Sequence, residues 1–99
     1  MEFKLKELEN IMHLMIKKAE KNGIDTIKLE HDFYWNIDAE QKLDLSQDPK
    51  PNVGSLDDDL KSLRLVLEKK NELSVIDFER LGNLLVYVGE RILNSNYIF

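Results

Sequence analysis

The stretch Pro49-Lys50-Pro51-Asn52-Val53-Gly54-Ser55-Leu56-Asp57-Asp58-Asp59-Leu60 decides how this chain is divided. Pro49 and Pro51 favour an extended approach, and Gly54 permits a sharp reversal. Ser55 is placed as a helix N-cap, because its hydroxyl can accept one of the amide protons that a first turn leaves unpaired. Asp58 stands three residues on, where a carboxylate can return to the cap amide. Asp57, Asp58 and Asp59 fill the first turn, where the positive end of the helix dipole favours negative charge. The stretch therefore marks the end of an irregular middle segment and the start of a long helix.

Working towards the C-terminus, that helix is predicted over residues 56–70, burying Leu56, Leu60, Leu63, Val66 and Leu67. Asp57–Lys61 and Arg64–Glu68 are i, i+4 pairs on its outer side. Leu65 points away from the apolar stripe. A further helix is predicted from Ser74, with Asp77 in the capping position, to Asn94. Phe78, Leu81, Leu84, Leu85, Val88 and Ile92 form its stripe. Val75, Val86 and Leu93 widen that stripe past Gly82 and Gly89, which predicts packing on two sides. Each glycine costs roughly 0.8–1 kcal/mol against Ala in a helix interior. The expected offset is close approach of another backbone or of a bulky ring such as Trp35. The apolar Tyr97-Ile98-Phe99 is expected to fold back or to meet another chain.

Working back towards the N-terminus, residues 38–54 form a long acidic connection, a length of loop that is usually functional or mobile. Before it the apolar period is 2: Ile27, Leu29, Phe33, Trp35 and Ile37 alternate with Thr26, Lys28, Glu30, Tyr34 and Asn36. The preferred reading is a hairpin of residues 26–30 and 33–37 turning near His31-Asp32; one continuous strand is the competing reading. On either, Phe33 and Trp35 face the core and Tyr34 faces outward. Leu43-Asp44-Leu45 is a further short extended piece. Residues 2–22 predict an amphipathic helix with Leu8, Ile11, Met12, Met15, Ile16 and Ala19 on one face, ended by Asn22-Gly23.

These elements predict a mainly α chain with a small β element, of α+β class: three helices, with a short antiparallel hairpin between helices 1 and 2, in a single domain. Apolar residues at 42% and charged residues at 33% fit a globular protein. No apolar run approaches the roughly 20 residues of a membrane span, and the opening residues do not read as a secretory signal. Zero cysteines exclude disulfides, thiolate catalysis and cysteine zinc sites. The expected compartment is the cytoplasm. Of the net charge of −5, residues 25–60 carry more than the whole, with ten acids against three lysines. A phosphate backbone would be repelled there, so no nucleic-acid partner is expected.

Catalytic motifs are missing. No phosphate loop, dinucleotide fingerprint or H-E-x-x-H occurs, Ser55 and Ser74 read as caps, and neither His13 nor His31 has triad spacing. The chain is expected not to be an enzyme and to need no cofactor. His31, Asp32 and Asp57–Asp59 supply metal-ligand chemistry. Adjacent helical residues diverge by about 100°, however, so three consecutive aspartates do not converge on one ion. Whether that cluster binds a metal stays open at this point.

The order Tyr34-Trp35-x-Ile37, then Pro51-x-x-Gly54-x-Leu56-x-Asp58-Asp59, resembles a pattern of small bacterial proteins without an assigned activity. The resemblance covers roughly residues 27–63 and implies that residues 34–59 are one structural unit. It brings no functional residue with it. What remains is an acidic protein-binding module, in the manner of an immunity protein or antitoxin, that presents Tyr34, Asp38, Glu40, Asp44, Asp48 and Leu65 to a basic protein partner. The alternative is a structural or homo-oligomeric protein, with Leu65, Met15 and Tyr97–Phe99 at a homodimer surface.

Overall fold

The computed structural model describes residues 1–30, 32–37, 39–46, 48 and 50–94. In chain order these form α1 (Leu5–Lys21), β1 (Phe33–Asn36), α2 (Ala39–Leu43), β2 (Asn52–Ser55), α3 (Leu56–Leu67) and α4 (Ile76–Leu93). The class is mainly α with one small antiparallel sheet, as the hydrophobic periods predict. Four described helices replace the expected three, because the acidic connection winds a short one of its own. Two compact units result. One is Met1–Lys28 with the chain from Gly89 onward, and the other is Leu29–Val88.

In the first unit, α1 starts where the Glu7 carboxylate accepts a hydrogen bond from the Lys4 amide at 3.1 Å. It stops in a Schellman arrangement: the Gly23 amide donates to Glu20 and the Ile24 amide to Ala19, both at 3.0 Å. Gly23 takes φ +83°, a left-handed conformation open to glycine at no steric cost. Ala19 is buried and Met12 half-buried, but Leu8, Ile11, Met15 and Ile16 are exposed, so most of the expected α1 stripe lies uncovered.

The second unit contains the sheet. β1 pairs antiparallel with β2 in the register Phe33↔Ser55, Tyr34↔Gly54, Trp35↔Val53 and Asn36↔Asn52. The partner strand of β1 is therefore not 26–30. Two bonds from Asp32 explain the correction. Its carbonyl accepts from the Leu56 amide at 2.7 Å and its carboxylate from the Asp57 amide at 2.8 Å, which fastens the residue before β1 to the start of α3. Residues 26–30 form no strand; the Glu30 amide donates instead to the Tyr87 hydroxyl at 2.9 Å. His31, at the expected turn, lies outside the described residues. Gly54 is also corrected: it sits within β2, so its smallness serves a neighbour and not a reversal.

α3 is capped as its sequence predicts, Ser55 Oγ accepting from the Asp58 amide at 3.2 Å. Leu56 is buried, Leu60, Leu63 and Val66 are half-buried and Leu67 is exposed. The helix ends three residues short of expectation, with Lys69 in the left-handed region at φ 62° and the Lys70 amide donating to Leu65 at 2.9 Å. α4 opens with the Ser74 amide on Asp77 Oδ2 at 2.8 Å, while Arg80 donates to Asp77 Oδ1 at 2.8 Å. Asp77 is buried, and the Ser74 amide, then the Arg80 guanidinium, hold its carboxyl below the usual range. The face α4 turns inward keeps half of the expected stripe: Leu84, Val88 and Ile92 are half-buried beside Asn83, and Asp77 and Tyr87 are buried, whereas Phe78, Leu81 and Leu85 are exposed.

Candidate functional site

Tyr34 is the centre of the second unit. Its hydroxyl donates to Asp59 Oδ2 on α3 at 2.6 Å and accepts from Asn83 Nδ2 on α4 at 2.6 Å. One phenol thus ties the sheet to both helices. Burial pushes the phenol's pKa far up, and the adjacent Asp59 carboxylate pushes it further, so the hydroxyl stays protonated and donating. The ring lies across Gly54, its cross-strand partner, where any Cβ would overlap ring atoms. An aromatic covering a strand glycine shields backbone that the glycine leaves bare.

Because neighbouring strand residues face opposite ways, the inward turn of Tyr34 sends Phe33 and Trp35 out. They are 71% and 74% exposed, and Val53, paired with Trp35, is 60% exposed. The sheet therefore has a polar, hydrogen-bonded inner side and an uncovered aromatic outer side. This reverses the expected parity, which places Trp35 in the core and Tyr34 outward. The physical reason is that a hydroxyl with two partners is held inside more specifically than an indole is held by area alone.

At the edge of the site Asp32 stabilises the start of α3 a second time, its Oδ1 accepting from Ser55 Oγ at 2.8 Å. The Asp57 amide, then the Ser55 hydroxyl, hold the Asp32 carboxyl below its ordinary value. Asp57 pairs with Lys61 at 2.7 Å. Asp57 and Asp59 consequently diverge, one to Lys61 and the other to Tyr34, while Asp58 gives its amide to the cap. Among the described residues, no three His, Asp or Glu side chains come together as a metal site.

The expected binding residues fare differently. Tyr34 is turned inward. Asp38 lies outside the described residues, as do Tyr97–Phe99, and Glu40 belongs to α2. Asp44 and Asp48 are exposed, and Ser46, through its hydroxyl and amide, lowers the Asp44 pKa. Leu65 is exposed on α3. The acids of residues 25–60 are not a single presented surface, since Asp32, Asp57 and Asp59 are engaged within the chain. Asn83 and Tyr87 escape a reading of the sequence by apolar pattern. Their signal was polarity in the middle of the most apolar helix, where buried polar groups need partners. A Cβ added at Gly82 would meet no atom within 4 Å apart from its own turn of helix, so Trp35 does not approach it.

No family model, no curated protein and no solved structure matches the chain. No helix among the described residues is long and apolar enough to cross a membrane.

Proposed function

We propose that this chain is a small acidic protein-binding module without catalysis of its own, of the kind an immunity protein or antitoxin represents, acting on a basic protein partner. The observation that supports the reading is the uncovered side of the sheet. Phe33, Trp35 and Val53 stand together on a rigid ribbon, and the ribbon is anchored from behind by Tyr34. Aromatic anchors of this type, once buried against a partner, carry most of the energy at protein interfaces. The exposed Asp44 and Asp48 and the net charge of −5 add attraction for a basic surface, which speeds and selects encounter more than it deepens affinity.

The chain contains one tryptophan, so binding at this face is readable directly. The test is a low-salt pull-down with the full chain, followed by titration of the recovered, purified protein against Trp35 emission. The expected result is a basic partner that shifts the emission to the blue, whose affinity falls with salt and on Asp44→Lys and Asp48→Lys. Recovery of no basic partner, or binding indifferent to Trp35→Ala, overturns the reading. The alternative is a structural or homo-oligomeric role without catalysis, and sedimentation of the full chain across a concentration series distinguishes the two.

A further inference from the structure

Among the described residues the sheet has two strands, so each strand has one side without a strand beside it. The register fixes which backbone groups lie there. The Leu56 amide donates to the Asp32 carbonyl at 2.7 Å, and Asp32 faces Leu56 when the pairing is carried one step beyond Phe33↔Ser55. Antiparallel pairs alternate between those that exchange hydrogen bonds and those that do not. Tyr34↔Gly54 and Asn36↔Asn52 therefore exchange bonds, whereas Phe33↔Ser55 and Trp35↔Val53 do not. The amides and carbonyls of Phe33 and Trp35 consequently point away from β2. Among the described residues no group hydrogen-bonds to them.

The other side of the ribbon is less open to addition. Outward groups recur at every second residue, so the corresponding row of β2 is Pro51, Val53 and Ser55. Pro51 has no amide proton, and a proline on an edge blunts strand addition. Ser55 is the N-cap, and the chain turns into α3 directly after it. β1 contains no proline, and its two outward residues also carry the exposed rings.

The groups on this edge specify what fills it. Donors and acceptors repeating every second residue, about 7 Å apart, match an extended main chain. A helix cannot satisfy them, because its own amides and carbonyls are already paired. Side chains of an added strand that stand opposite Phe33 and Trp35 share the outer side with both rings. Residues 25–60 hold ten acids against three lysines, so the complementary strand is basic. Arginine fits best, since its guanidinium stacks on an indole face and keeps its charge. We infer that β1 is a docking edge, at which a basic segment of the partner adds as a third strand bonded to Phe33 and Trp35. The inference rests on the binding role proposed above and gives it a mode: main-chain bonds hold the segment and the two rings select its side chains.

The probe is a blocked hexapeptide alternating arginine and valine, titrated into the full chain at low salt while amide exchange is followed residue by residue by NMR. Without peptide, the Phe33 and Trp35 amides should exchange faster than the Tyr34 amide between them. With peptide at about ten times its Kd, exchange at Phe33 and Trp35 should slow about tenfold, and Trp35 emission should move to the blue. Phe33→Pro removes an outward amide and no bond of the ladder, so it should weaken the peptide about tenfold. Phe33→Ala keeps that amide and should weaken it less than about fivefold. If Phe33→Pro does not fold, the exchange measurement on the wild-type chain decides alone.

A blue shift without slower exchange at these two amides overturns strand addition and leaves the aromatic binding face standing. So does failure of the peptide to bind while the pull-down recovers a basic partner. Failure of both overturns the binding role as well. Protection that appears at Val53 instead, or that grows with chain concentration without peptide, gives the edge to β2 or to a second copy and overturns the inference.

Discussion

On the inner side of the β1–β2 ribbon, Tyr34 lies over Gly54 and its hydroxyl is held by Asp59 and Asn83. One residue away on the same strand, Phe33 and Trp35 stand in solvent with Val53 across from them. The more apolar residues are outside and the polar one is inside. Leaving a large side chain exposed forgoes about 1.5–3 kcal/mol of burial. The inner side is fixed by hydrogen bonds of defined length, whereas the outer side is left in solvent. Each side can be altered without touching the other, so the comparison can be broken experimentally.

Gly54→Ala should have the largest effect, a loss of about 2–3 kcal/mol in urea unfolding, since a methyl group drives the Tyr34 ring off both of its partners. The loss should shrink in a Tyr34→Ala background, the signature of residues in contact. Tyr34→Phe keeps the ring over Gly54 and removes only the hydroxyl. It should cost about 1–2 kcal/mol, because Asp59 and Asn83 lose a shared partner.

Acid should weaken the inner side next. The Asp32 carboxyl is held below its ordinary value by the Asp57 amide and the Ser55 hydroxyl. A depressed folded pKa gives stability that is fully present above the unfolded value, near pH 4, and that is lost as pH falls through the folded value. The unfolding midpoint should therefore drop below about pH 4, and Asp32→Asn should flatten that part of the profile. Trp35→Ser on the outer side should change stability least, within about 0.5 kcal/mol, while abolishing partner binding. A large stability loss from Trp35→Ser would erase the distinction between the two sides.

The parts of the fold legible in the sequence were those written locally. Ser55, the Ser74–Asp77 pair and Gly23 each announce a helix end through bonds that span only a few residues. The strand pairing was not legible, because Asp32 and Asp57 are 25 positions apart and nothing near either one specifies the other. Alternation located a strand at Phe33–Asn36 but could not choose its buried side. That choice depended on Asp59 and Asn83, 25 and 49 residues from Tyr34. A tyrosine facing the sole glycine of the extended stretch was the available clue. On α4, hydrophobicity found the half-buried Leu84, Val88 and Ile92 but also pointed to the exposed Phe78, Leu81 and Leu85, and it missed Asp77 and Tyr87, which hydrogen bonding turns inward.

The Asn36↔Asn52 pair closes the connection at one end of the ribbon, and Asp32 fastens the other end of the ribbon to α3. A clamped loop is a natural graft point. A peptide spliced at the exposed Leu45-Ser46 turn would add only about 0.6 kcal/mol of closure entropy for each doubling of loop length. The ribbon would carry such a passenger without any change in how its strands meet.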